Sequence, residues 1–308
     1  MHVTGPYISG KGASFMTQVS TPEDARRVVA YWAEEGATWF KAYTLISRAE
    51  LEAAIDEAHR RGLKFTGHVC SVTFPEAVDL GIDGFEHGFF TNTEYDSRKA
   101  PDQCPTDFQE GLRRMDIGGD EVRATIDHMV GNGVALTSTL AVYEVYELNV
   151  PGRPPLEDRV LEMLAPEARE EYLERRKELA ASAEDSVTAD VFPRAQAFEH
   201  AFFKAGGLLA AGVDPTGNGG ALPGFGDQRN YELLLEAEFT PAETIQIMTL
   251  NGARVLGVDS DLGSIAPGKI ADLVLIDGDP VSRPAEIRNV VTSSRTAWAT
   301  TPRSSSPR

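Results

Sequence analysis

Four residues of the sequence stand at or just past the C-terminal end of a β-favouring run: Lys41, His68, His87 and Asp214. An ammonium group is costly inside an apolar strand, and burial lowers a lysine's pKa until it is a nucleophilic amine. Such an amine captures carbon dioxide as a carbamate, an anionic group able to bridge or ligate a metal. His68 in FTGHV and His87 in GFEHG offer neutral imidazoles, the commonest nitrogen ligands of zinc and similar ions. Asp214 in GVDP adds a carboxylate that can ligate metal or take a proton from water. Tyr43, two residues beyond Lys41 along the same strand, reaches the same cavity and can polarise a substrate carbonyl. Each residue also has a plainer reading. Lys41 can snorkel to solvent, either histidine can be structural, Asp214 can be a turn residue before Pro215, and Tyr43 can simply pack. A strand-end lysine followed by two strand-end histidines in consecutive units favours a shared site. His59, His128 and His200 read as solvated or structural, His2 as terminal, and Cys70 as a small buried thiol. No GxSxG, Walker or GxGxxG signature is present.

These residues need a scaffold that brings strand ends together. Ser20-Thr21-Pro22-Glu23-Asp24 is a helix start, with a hydroxyl cap followed by proline and acids. A first strand lies near Val3 to Ile8, Thr38 to Ala42 is a short β run, Ser47 caps a second helix, and Leu63 to Val69 is a strand. Phe74 to Leu80 reads as a short helix, Ile82 to His87 as a strand, Glu121 to Met129 as a helix, and Val134 to Leu140 as a strand. Residues 155 to 205 are charged at helical spacing, Leu208 to Asp214 is a buried strand, and two helices follow between 227 and 256. Asp272 to Ile276 and Ile287 to Val291 close the list of strands, and the polar stretch from Thr91 to Asp120 reads as a lid-like loop. Strands alternating with helices imply parallel pairing through right-handed crossovers. The expected fold is therefore α/β, a TIM-type (β/α) barrel that is incomplete at about six of eight βα units, with active residues at the C-terminal strand ends.

Composition removes other classes. The chain has 308 residues, and 29 basic against 47 acidic side chains give a formal charge of −18. A surface this acidic repels phosphate backbones, so nucleic acid is not an expected partner. No apolar run approaches the roughly 20 residues needed to cross a bilayer, and the first residues lack the apolar core of a signal peptide. Two cysteines, Cys70 and Cys104, are too few for a disulfide framework or a cysteine zinc site, and their scarcity suits a cytoplasmic protein. The last stretch, Thr292 to Arg308, holds five Ser, four Thr, three Arg and no acid, and reads as a disordered tail. The expected organisation is a barrel domain over 1–256, a β segment over 257–291 and the tail over 292–308.

Lys41 in GATWFKAY, His68 in FTGHV, His87 in GFEHG and Asp214 in LLAAGVDP together resemble the metal-dependent amidohydrolase superfamily. The pattern is most similar to its imidazolonepropionase-like and Xaa-Pro-dipeptidase-like members. FTPAETIQIMTLNGARVLG followed by LGSIAPGKIADLVLIDGDP is similar to the segment those enzymes carry after their last barrel strand. The resemblance implies a βα barrel with a small β-domain, of which this chain keeps the C-terminal part. It implies a carboxylated Lys41 bridging two metals, His68 and His87 on one of them, and Asp214 on the other as proton acceptor.

The same resemblance exposes a departure. The HxH pair that normally serves the second metal is absent, because only His2 precedes Lys41. The expected site therefore holds one divalent ion, zinc first, on Lys41, His68 and His87. The first visible strand corresponds to about the third of the family's eight, which leaves two open sheet edges to be covered by other segments or by a second copy in a homo-oligomer. The expected function is hydrolysis of a small amide, cyclic amide, dipeptide or ester by metal-activated water. The alternatives are a catalytically impaired binding or assembly protein, and a truncated gene product.

Overall fold

A computed structural model describes residues 2–144, 158–182, 187–215, 221–222, 224–295 and 298–300. The elements, in chain order, begin with two short strands, β1 (Ile8–Ser9) and β2 (Thr17–Gln18). Next come α1 (Pro22–Glu34), β3 (Trp39–Ala42), α2 (Arg48–Arg60), β4 (Lys64–Gly67), α3 (Phe74–Asp79) and β5 (Gly84–Glu86). They are followed by α4 (Glu110–Arg113), α5 (Asp120–Gly131), β6 (Ala135–Ser138), α6 (Leu140–Glu144), α7 (Asp158–Met163), α8 (Pro166–Ser182) and α9 (Val187–Lys204). The chain continues through β7 (Leu209–Ala211), α10 (Phe225–Glu236), α11 (Pro241–Gln246), a π-helical turn (Ile247–Asn251) and α12 (Gly252–Val255). It ends in β8 (Leu273–Ile276), β9 (Val290–Arg295) and β10 (Trp298–Thr300).

The helix starts follow from local chemistry. Thr21 accepts a hydrogen bond from the Asp24 amide at the start of α1. Ser47 with Glu50, Thr73 with Glu76, and Thr240 with Glu243 form capping boxes at α2, α3 and α11. Each box satisfies two backbone donors that the first turn of a helix leaves unpaired.

The chain divides into two compact units, Met1–Ser138 with Ala183–Leu209, and Thr139–Ser182 with Ala210–Arg308. The main sheet has seven strands in the order β2-β1-β3-β4-β5-β6-β7. β1 pairs in parallel with β2 and β3, and β3 to β6 pair in parallel in sequence order. Phe40 lies opposite Phe65, and Phe85 opposite Leu136, all fully buried. Phe74 of α3 stacks on Phe85 with ring centroids 3.9 Å apart, so the helix layer is fixed to the sheet by aromatic contact. The fold is thus the α/β arrangement expected from the sequence, with one strand more. β2 escapes pattern reading because two residues carry no periodicity.

In the second unit, α10 is the organising helix. Arg229 bonds Glu144 and Glu232, and Glu232 also receives Arg288. Asn230 accepts from the Ala141 amide and donates to the Gly212 carbonyl, and the Tyr231 hydroxyl donates to the Pro280 carbonyl. β8, β9 and β10 form a separate antiparallel sheet. β9 crosses the boundary expected at 291, and β10 lies in the stretch read as tail; residues 301–308 fall outside the described ones. Much of the charged stretch 155–205 is helical, as α7, α8 and α9, although the residues before 158 lie outside the described set. Among the described residues no helix is long and apolar enough to cross a membrane.

Candidate active site

Lys41 is the third residue of β3, and it lies opposite Thr66 of β4. His68 follows β4 directly and donates its backbone amide to the Ala42 carbonyl at 3.0 Å, which continues the ladder one step past the strand. His87 follows β5 directly. Parallel register therefore places the three side chains at one end of three adjacent strands, the end where parallel βα folds build their sites.

The side chains meet. Lys41 Nζ lies 3.4 Å from His87 Nε2, within reach for donation to the lone pair of a neutral ring. The His68 and His87 rings are 4.6 Å apart between centroids, and Tyr43 packs on His68 at 4.7 Å. Tyr7, which precedes β1, stacks on Tyr43 at 6.1 Å and lies 4.8 Å beneath Lys41 Nζ. Lys41 and His87 are buried, at 8% and 4% exposure. His68 Nδ1 is sealed from solvent with no hydrogen-bond partner.

Burial dominates the electrostatics. It lowers the His68 pKa to about 3, helped by the Lys41 charge. It also holds His87 well below the ordinary range, with His68 and Lys41 adding to the effect. Both rings are therefore neutral at physiological pH, the form in which imidazole ligates metal. Two imidazoles, one with an orphaned buried nitrogen, converging on a buried lysine form a donor set that fits a divalent ion once the lysine is anionic. Among the described residues no three His, Cys, Asp or Glu side chains cluster closely enough to hold a metal without it.

The backbone at this point is unusual. His87 has φ of 70° and Gly88 of 59°, two left-handed residues in succession. For a non-glycine residue this costs roughly 1 kcal/mol or more and persists only where the surroundings impose it. The Gly88 amide donates to the Thr137 carbonyl at 2.9 Å, which fixes the turn to β6.

Of the residues expected from the sequence, Lys41, Tyr43, His68 and His87 come together. Asp214 belongs to the second unit, three residues past β7, with a left-handed φ of 46°. His59 and His128 bond Asp83 and Asp79 at 2.8 Å, in line with structural roles. Cys70 is a correction. It is disulfide-bonded to Cys104, with Cα atoms 5.1 Å apart, and is not a free thiol. Its partner lies 34 residues away in the long loop, a separation that pattern reading cannot bridge. The pairing runs against the cytoplasmic expectation drawn from the scarcity of cysteine. It straps the long loop to the turn after β4, beside hydrogen bonds from Thr93 Oγ1 to the Cys70 carbonyl and from Lys99 Nζ to the Ser71 carbonyl, both 2.7 Å.

Two neighbours were not evident from the sequence. Tyr7 falls within the first β run, near Val3 to Ile8, but nothing in its type or spacing marks it as a site residue. Glu199 sits on α9 with Ala195, Phe198 and Phe202, all fully buried at i, i+3 and i+4 spacing. A carboxylate on that apolar stripe is the signal that marks it.

Comparison with known proteins supplies the remaining context. The model of the Amidohydrolase family matches residues 2–302. A 43-residue stretch is 46% identical to 5-methylthioadenosine/S-adenosylhomocysteine deaminase of Symbiobacterium thermophilum, and covers 14% of this chain and 10% of that one. The crystal structure of a Xaa-Pro dipeptidase with bound methionine superposes with a TM-score of 0.62 at 18% identity, over 93% of this chain and 60% of that one. The bottromycin amidohydrolase AH superposes with a TM-score of 0.69 at 19% identity, over 97% and 64%. The chain thus spans less than two thirds of the length of each of these relatives, and at these identities the two structures share its fold.

Proposed function

The chain belongs to the amidohydrolase family, and we propose that it is a metal-dependent hydrolase of a small amide, cyclic amide, dipeptide or ester. The observation that carries this reading is the convergence of Lys41, His68 and His87 at the ends of β3, β4 and β5. His68 and His87 would ligate the ion as neutral imidazoles. Lys41 would complete the set as a carbamate: the neutral Nζ bonds the carbon of carbon dioxide and releases one proton, which leaves an anionic carboxylate on nitrogen. One ion is proposed, with zinc the first candidate, since three such ligands leave room for water and substrate. When bound, the ion polarises a carbonyl and lowers the pKa of water toward about 7.

The chain's own groups do the rest. Lys41 and His87 are buried, so charge that develops on the substrate does so in a medium of low polarity, where oriented dipoles count for more than in water. Tyr43, held between Tyr7 and His68, would donate its hydroxyl to the carbonyl oxygen as that oxygen gains charge. On the resemblance of its GVDP motif alone, Asp214 is the proposed acceptor of a proton from the attacking water, which it would return to the leaving group. The stretch from Thr91 to Asp120, tied down through Cys104, would cover the substrate.

Metal content and activity test the reading together. The expected result is about one equivalent of divalent metal in the purified protein, as for a single three-ligand site, with hydrolysis of at least one member of an amide, dipeptide and ester panel. Both are lost in His68→Ala with folding intact. Metal below about half an equivalent, together with no hydrolysis, would leave the fold as a binding scaffold and refute the enzyme.

A further inference from the structure

Glu199 is a fully buried carboxyl group that the proposed chemistry does not use. Ser138 Oγ, at the end of β6, is close enough to offset part of the effect of burial on the carboxyl, but neither it nor either Glu199 oxygen reaches hydrogen-bond geometry with a partner. The carboxyl occupies the space that a side chain at Gly88 would need. A methyl group built at that position would lie 2.5 Å from Glu199 Oε1, 3.4 Å from Cδ and 3.6 Å from Cγ. The contact is framed by Phe89 stacked on Phe198 at 5.1 Å, so the residues after His87 and before Glu199 are packed together as well. Burial raises the Glu199 pKa to about 8, which makes the group a neutral acid in neutral solution.

We infer that Glu199 is a positioning residue for His87: its carboxyl group fills the space against Gly88 and holds the His87–Gly88 turn in the left-handed conformation that aims the imidazole at His68 and Lys41. The left-handed pair needs an external constraint, and the Gly88 amide bond to Thr137 supplies only one side of it. Glu199 supplies the other. The role of α9 is then to press a side chain of fixed length beneath the turn. Alanine leaves a void there, aspartate falls short, and glutamine keeps the shape. The catalytic consequence rests on the reading of His87 as a metal ligand; the contact itself does not.

The test reads His87 in two ways, with and without metal. In metal-free protein, Glu199→Ala shifts the His87 ring resonances and weakens the nuclear Overhauser contact between the His68 and His87 rings, whereas Glu199→Gln retains both. With cobalt(II) as probe, Glu199→Ala binds about 10- to 100-fold more weakly than the parent, as when an outer partner of a ligand is removed, and glutamine restores binding to within about threefold. Unchanged His87 resonances in Glu199→Ala overturn the proposal, and so does a glutamine variant as perturbed as alanine. If Glu199→Ala fails to fold, Glu199→Asp, whose shorter side chain falls short of Gly88, takes its place. It shifts His87 if the proposal holds, and a shift of nothing overturns it. A parent protein with the ring contact intact and no cobalt bound would refute the metal reading alone, because the metal-free arm still decides the positioning role.

Discussion

Replacing Glu199 by glutamine removes a titratable proton from the core while keeping the side chain's length and shape. The consequence for stability follows from where that proton resides. In the unfolded chain the carboxyl titrates near 4.5, and in the folded chain burial raises this to about 8. Below pH 4.5 both states hold the proton and the group contributes no pH dependence. As pH rises from 4.5, the unfolded chain releases its proton while the folded chain keeps it, so the parent protein loses stability until the pH passes about 8. The slope is about 1.4 kcal/mol per pH unit, so the loss is about 3 kcal/mol at pH 7 and about 5 kcal/mol at its limit. The glutamine variant has no such term. Its buried amide carries its own desolvation cost, but that cost is the same at every pH and drops out of the slope. The neutral histidines His68 and His87 destabilise the fold toward acid pH, and they do so equally in both proteins. The quantity to measure is the difference in unfolding free energy between Glu199→Gln and parent in metal-free protein, from urea unfolding at intervals between pH 4.5 and 8.5. Trp32 and Trp39, both in the first unit, report the transition by fluorescence. The difference should grow steadily in favour of the variant across that range. A flat difference, or one that moves in favour of the parent, would mean that Glu199 is ionised in the fold and has a charged or donating partner.

Other perturbations address the proposed site and its supports. Lys41→Arg keeps the charge but forms no carbamate, so a carbamate carbon resonance seen in parent protein grown with labelled bicarbonate should vanish together with activity. Its persistence would place the label elsewhere. Tyr43→Phe should lower kcat by about 100-fold while leaving metal content at the parental level, the pattern of a lost donor to a developing oxyanion; an unchanged kcat would reduce Tyr43 to packing. Cys104→Ser opens a 34-residue loop and should cost about 3 to 4 kcal/mol of unfolding free energy. Limited proteolysis should then cut the chain between residues 91 and 119, and resistance equal to the parent's would show that the hydrogen bonds of Thr93 and Lys99 suffice. Phe85→Ala removes one face of the Phe74 stack beneath β5 and should cost about 3 to 5 kcal/mol, read as a lowered urea midpoint.

The parts of the site that could be read from the chain are those in which residue type and strand position coincide. Lys41, His68 and His87 each break an apolar β run at its C-terminal end, and parallel pairing places such ends side by side whatever else the fold does. The helix starts were equally legible, because Ser47, Thr73 and Thr240 are each followed three residues later by the glutamate that completes the cap. The disulfide was not, since a spacing of 34 residues says nothing about whether two Cα atoms approach to 5.1 Å. β2 was not, because two residues carry no alternation, and β10 was not, because it lies in a stretch whose composition argues for disorder.

Glu199 falls between these cases and shows where sequence reading stops. Its place on α9 is visible as a charged residue on a stripe otherwise made of Ala195, Phe198 and Phe202, so its burial could be anticipated. What it is buried against could not. The glycine after His87 looks like an ordinary turn residue, and its two requirements, a left-handed φ and space for a carboxyl oxygen, arise from different segments of the chain. A methyl group there would violate both at once. The His87–Gly88 turn is therefore constrained from β6 through a backbone hydrogen bond and from α9 through a side chain, and the ring that Lys41 approaches takes its direction from residues 50 and 112 positions further along the chain.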